Sequence, residues 1–138
     1  MTLNRKKFIF VLGTSQDGGY PHLGCKEKCC SKAWEKQTLI RYPSSIAYVD
    51  TELKKYWLFD ISPKIKEQMY LLRGFDCELA GIFLTHAHFG HYVGLLELGL
   101  EVLNSNKIPE YQFYVSNFTF PININSIIFN FYFSTNFF

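Results

Sequence analysis

The chain has 138 residues, 48% hydrophobic and 19% charged, which suits one ordinary folded domain or one half of a larger one. Its net charge of +2 is too small to carry a nucleic acid or an anionic membrane as partner. No apolar run approaches the ~20 residues of a membrane helix. A small-molecule substrate and, from the cysteine usage, a cytoplasmic setting are the expectation.

The first residues, MTLNRKKFIFVLG, have a basic start and a short apolar stretch but no small-residue cleavage site, so they read as a strand rather than a leader. Residues 7–13 form a continuous β-prone run ended by Gly13, the pattern of a strand buried on both faces. The stretch TSQDGGYPHLG is loop, broken by Gly18, Gly19 and Pro21, and DGG reads as a turn rather than a phosphate cradle. One short helix is expected within residues 25–37, with Ser31 as its cap followed by Ala33 and Trp34.

Residues 44–50 and 56–61, on either side of the polar turn TELKK, predict a hairpin. Ser62 and Pro63 mark a helix start, and Ile65, Met69 and Leu72 form its apolar stripe up to Gly74. Residues 78–85 predict a fourth strand. Val93, Leu96, Leu100 and Leu103 predict a second amphipathic helix, and residues 111–116 a fifth strand. From Tyr111 to Phe138 there is no charged residue. The final stretch is almost wholly Asn, Phe, Ile, Ser and Thr, with neither strand alternation nor a helical stripe. Either it is a pair of buried strands or it is an out-of-frame product of AT-rich DNA. Its composition favours the second, which makes residues 117–138 a biased tail outside the native domain.

Two clusters carry chemistry. Three of the four histidines, His86, His88 and His91, fall within six residues. On extended chain, residues two apart point to one side, so His86 and His88 can converge on one cation. His91 follows where the chain turns into the next helix. Imidazole donors suit Zn²⁺, with Fe²⁺ or Mn²⁺ as alternatives. The second cluster is Cys25, Cys29 and Cys30. Near-adjacent cysteines pair poorly with one another, so reduced thiols in a reducing compartment are the better reading. They are candidates for a structural metal, with Cys77 or His22 as a fourth ligand, although the spacing is atypical.

At this point the motif THAHFGH resembles the H-x-H-x-D-H signature of the metallo-β-lactamase superfamily. The blocks VLGTSQDGG, the GC…CC loop, PSSIAYVD, WLFDISP and LTHAHFGHYVGLLELG follow in the order of its branch that includes coenzyme PQQ biosynthesis protein B. The resemblance covers roughly residues 6–116 and implies an α/β (α+β) architecture, the N-terminal half of an αββα sandwich, with residues 1–116 a partial domain. It implies that His86 and His88 bind a first metal and His91 a second. It places Asp60 near the pocket as a supporting group, and associates the cysteine loop with structural zinc. Gly90 stands where the superfamily has an Asp that ligates the second metal and handles the attacking water. That role is therefore empty, and no catalytic set is complete.

The superfamily takes further His and Asp ligands from its second half, whereas here no His follows His91 and no Asp follows Asp76. The expectation is a metal-dependent hydrolase, truncated and weak or inactive as given. The alternatives are a cofactor-maturation protein like PQQ biosynthesis protein B, with iron and oxidative chemistry, or a non-catalytic metal-binding fragment. A bisected sandwich is also expected to self-associate.

Overall fold

The computed structural model describes residues 6–98 and 112–115. The expectations for residues 117–138, for Leu100 and Leu103 and for the ends of the fifth strand lie outside the described residues. Five strands form one sheet in the order β1–β2–β3–β4–β5: Lys7–Gly13, Ser45–Asp50, Lys55–Phe59, Glu78–Leu84 and Gln112–Val115. The first three pair antiparallel, and β4 lies parallel to both β3 and β5. Helix α1 spans Lys28–Glu35, α2 spans Ile65–Leu72 and the single turn α3 spans Phe89–Tyr92.

Period-two alternation sorts the strand residues onto two faces. Leu12, Ala47, Val49, Tyr56, Leu58, Ile82 and Leu84 point to one face, where Ile65 and Leu72 of α2 close the core. Each such large side chain contributes about 1.5–3 kcal/mol relative to exposure. The other face carries the stacked rings of Phe59, Phe83 and Tyr114, with centroids 4.7 and 4.3 Å apart. It also carries the tilted pair Tyr48 and Trp57. The first strand is not buried on both faces as its composition predicts. It is an edge strand, and Ile9 and Val11 stay exposed.

The hairpin forms as expected, and its turn is held by Asp50, whose carboxylate accepts the N–H groups of Glu52 and Leu53 at 3.1 and 3.0 Å. The third strand stops at Phe59, not at Ile61, because Asp60 adopts a left-handed backbone (φ 65°) that ends pairing. Ser62 and Pro63 do not start the next helix itself, which begins at Ile65 with Lys64 at the cap position. The Ser62 hydroxyl instead accepts from Lys64 N at 3.0 Å in the turn before it. The same hydroxyl donates to Gln68 Oε1 at 2.7 Å, and Gln68 Nε2 donates to Pro43 O at 2.9 Å. The buried stripe of α2 is therefore Ile65, Gln68 and Leu72, with Met69 at its margin.

Two helix expectations change. Ser31 lies inside α1 rather than capping it, because the helix starts three residues earlier at Lys28. Residues Val93–Leu98 form a 3₁₀ segment. At three residues per turn, Leu95 and Leu98 share one face and are buried, while Leu96 is exposed. Gly94 explains the tight path: a Cβ there would lie 2.2 Å from Ser62 O.

Candidate metal centre

The three histidines of the motif follow the C-terminal end of β4. Asp60, at the end of the neighbouring β3, is the group that organises them. Its left-handed backbone turns the carboxylate across the strand ends. There it accepts from Thr85 N at 2.8 Å, from Thr85 Oγ1 at 2.8 Å and from His91 Nδ1 at 2.7 Å. Asp60 is buried, so these hydrogen bonds are what make its position tolerable.

Donor directions follow from a carboxylate that only accepts. His91 Nδ1 donates to Asp60, so whenever the ring is neutral Nε2 is its lone-pair nitrogen. Thr85 gives its hydroxyl proton to Asp60. Its oxygen then accepts from His86 Nδ1 at 2.9 Å, so His86 also presents Nε2. One buried carboxylate thus sets the tautomer of two of the three imidazoles, the arrangement that orients and strengthens metal-binding histidines.

The centroid of His86 lies 4.6 Å from that of His88 and 4.0 Å from that of His91, while those of His88 and His91 are 6.5 Å apart. His86 Nε2 and His88 Nδ1 stand 3.1 Å apart. His91 Nε2 stands 3.3 Å from Asp17 Oδ1. Donors around a tetrahedral zinc with bonds near 2.0–2.1 Å are separated by about 3.3 Å. Both pairs match that spacing, and borderline imidazole and carboxylate donors suit the ion. Among the described residues, no group of three or more His, Cys, Asp or Glu is closed around a single point. The donor set and its pair spacings fit a metal, while closure of the ligand set is not formed.

Asp17 is the residue that sequence reasoning missed. The turn it belongs to forms as expected, with Gly19 N donating to Gln16 O at 2.8 Å. Its side chain, however, reaches α3. The available signal was a glycine at position 90 where an acidic residue is usual, together with an acidic residue beside two glycines far upstream.

The cysteine loop lies on the same side of the sheet ends, tied by Tyr20 OH to Cys29 O at 2.8 Å and by the Tyr20–Arg41 bridge. No disulfide joins the cysteines. His22 N donates to Cys30 Sγ at 3.4 Å, which favours the thiolate. The thiols of Cys25 and Cys29 beside it, together with burial, outweigh that contact and raise the Cys30 pKa. The His22 ring contacts Gln16 Nε2. Cys77 is not part of this group. It contacts Phe75 O and Asp50 O at the far end of the sheet, roughly 15 Å away along the strands. Burial holds its thiol above the ordinary range. A depression of about 450 Å³ beside it, lined by Lys54, Lys55, Arg73 and Asp76, is equally remote from the histidines.

A sheet with a helix over one face and a histidine motif at its strand ends defines the class: this is the metallo-β-lactamase fold, in its N-terminal portion. The chain superposes on the Zn²⁺-bound PqqB from Methylobacterium extorquens with a TM-score of 0.63 and 26% identity, over 79% of this chain and 39% of that one. It superposes on a diphosphatase of the PhnP family with a TM-score of 0.59 and 23% identity, over 80% of this chain and 42% of that one, which speaks for the fold alone.

Within the class the chain is similar to coenzyme PQQ synthesis protein B. It is 30% identical over 99 residues to that protein from Methylorubrum extorquens (strain PA1), covering 65% of this chain and 33% of the relative. The protein from Methylobacterium sp. (strain 4-46) is 30% identical over 97 residues, covering 64% and 32%. The chain thus spans about a third of the length of the curated relatives it matches. No protein-family profile matches it. Among the described residues, no helix is long and apolar enough to cross a membrane.

Proposed function

We propose that the chain carries the histidine side of a zinc centre of metallo-β-lactamase type, and that its chemistry is metal-dependent hydrolysis of a small-molecule substrate. The single observation behind this reading is the Asp60 network, which presents His86 Nε2 and His91 Nε2 as lone pairs beside His88. A structural role for the histidines alone would not call for a buried carboxylate aimed at them. The zinc-bound relative supports the choice of ion.

When bound, a divalent ion supplies Lewis acidity and lowers the pKa of water. The chain's own groups do the rest. Asp60 holds two imidazoles in orientation, and Thr85 links His86 to Asp60. Buried Gly90 lets α3 pack close against the Asp17 loop, and buried Gly94 lets the 3₁₀ segment after it pack close against Ser62. His91 is the last histidine of the sequence, so turnover by this chain alone is expected to be weak. A second reading, maturation of a cofactor as in coenzyme PQQ synthesis protein B, is favoured by the sequence similarity.

The test is turnover of phosphodiester, thioester and lactam substrates by zinc- or manganese-loaded protein. Weak activity that disappears in His88→Ala supports hydrolysis. Turnover that His88→Ala leaves intact overturns the assignment. Robust turnover lost in His88→Ala refutes the expectation of weakness and implies that a second chain completes the site.

A further inference from the structure

We propose that Asp17, from the loop after β1, supplies the acidic metal donor that the histidine motif lacks at Gly90. This deepens the zinc reading and rests on it.

The first argument is steric. A Cβ built on Gly90 would lie 2.5 Å from Asp17 Cα, 2.6 Å from its Cβ and 2.7 Å from its Cγ. The space that a side chain at position 90 needs is filled by Asp17 itself. Gly90 is therefore less a deletion of a function than the vacancy that admits a carboxylate from elsewhere. The second argument is where that carboxylate goes. Asp17 Oδ2 accepts from Gly90 N at 3.3 Å, and Oδ1 faces His91 Nε2 at 3.3 Å.

The third argument is electrostatic. His91 Nδ1 is committed to Asp60 at 2.7 Å, so in the neutral ring Nε2 presents a lone pair. A carboxylate oxygen facing that nitrogen calls for a positive charge between them, either a proton on Nε2 or a cation. A divalent cation on both atoms satisfies the pair, and their spacing is that of two ligands of one ion. The loop that carries Asp17 is tied down on both sides. Thr14 N and Ser15 N donate to Tyr42 O at 3.0 Å, and Tyr20 N donates to Arg41 O at 2.9 Å. The carboxylate is thus delivered by structure far away in sequence, 73 residues from the glycine it replaces.

The experiment is titration of the full chain with Zn²⁺ against a competing chelator, and with Co²⁺ followed by visible absorption. It compares wild type, Asp17→Asn, Gly90→Ala and the double variant His86→Ala, His88→Ala. Cobalt at the cysteine loop absorbs in the near ultraviolet through sulfur-to-metal charge transfer, which separates it from a nitrogen and oxygen site. Asp17→Asn keeps the shape and the Gly90 contact but weakens the donor, so zinc affinity at the histidine site is expected to fall ten-fold or more, with an altered cobalt spectrum. Gly90→Ala removes no donor atom but displaces Asp17, and is expected to produce the same loss. Circular dichroism and a thermal melt of each variant confirm that it folds. Wild-type affinity and spectrum in Asp17→Asn, with metal lost in the histidine double variant, overturns the proposal and leaves Asp17 as a partner of Gly90 N only. Wild-type binding in the histidine double variant instead overturns the zinc reading, and this proposal with it.

Discussion

The histidine cluster and the cysteine loop sit on the same side of the sheet ends, yet they are built in opposite ways. The histidines hang from the core. A buried carboxylate on β3 reaches across to Thr85 and His91 beside β4, so the donors are held by the packing that folds the domain. Of the cysteines, Cys25 lies in the loop while Cys29 and Cys30 sit in the first turn of α1, with one buried thiol among three. The first arrangement ties its side chains together through one buried carboxylate. The second rests on the first turn of α1 and on the Tyr20 anchor.

The sharpest way to break the comparison is the double variant His86→Ala, His88→Ala. We expect it to lose one equivalent of bound metal, read by elemental analysis with the cysteine loop scored separately. Little change in melting temperature should accompany the loss, because both rings are half-buried or exposed. Unchanged stoichiometry would sink the assignment.

Next in size is Asp60→Ala. It strands the Thr85 and His91 donors and places a Cβ-bearing residue without a local polar partner at φ 65°. A destabilisation of about 3 kcal/mol is expected in urea unfolding. Asp60→Asn should cost less stability but still weaken metal binding, because an amide no longer commits His91 Nδ1 to carrying the proton. Equal metal affinity in the two proteins would show that Asp60 serves the fold alone.

For the cysteine loop the expectation is three reduced thiols, at least two of them on a metal. Thiol titration with and without chelator checks this, and free reaction of all thiols in unchelated native protein would contradict it. In the chelated protein Cys30 should react more slowly than Cys29, since it is buried and its pKa is raised.

The smallest effect is a pH dependence remote from both clusters. The Leu53 N–H, with Lys7 and the Glu52 N–H, holds the Asp50 carboxyl below its ordinary pKa. Its contribution is complete above about pH 3.9 and is lost as pH falls through the depressed folded value. The same pair raises the Lys7 pKa, so that share is present below the ordinary lysine value of about 10.4 and disappears as pH rises through the raised one. Melts of Asp50→Asn against wild type should therefore converge at the acid end of the range. A difference that persists well below pH 3 would contradict the assignment.

The sequence by itself determined the local elements and the chemistry they carry. β-prone runs bounded by turn residues placed the strands within two residues, and the polar turn between two of them marked the hairpin, while α2 begins at Ile65, after the Ser62–Pro63 signal. The H-x-H spacing put two imidazoles on one side of an extended segment. These are short-range properties, encoded in neighbouring residues through backbone geometry.

What only the tertiary structure decided is long-range or context-dependent. The left-handed turn at Asp60 ended β3 early and made that residue the organiser of the site. Close packing of Gly94 on Ser62 accompanies a 3₁₀ segment, which buries Leu95 and Leu98 instead of Leu96. Gln68 became a core residue because Pro43 and Ser62 offered it partners. Asp17 met Gly90 across 73 residues of chain. No spacing rule relates two such positions. Their meeting depends on where the loop after β1 is tied against Tyr42 and Arg41 and on how α3 sits at the end of β4, and both are settled only when the sheet assembles.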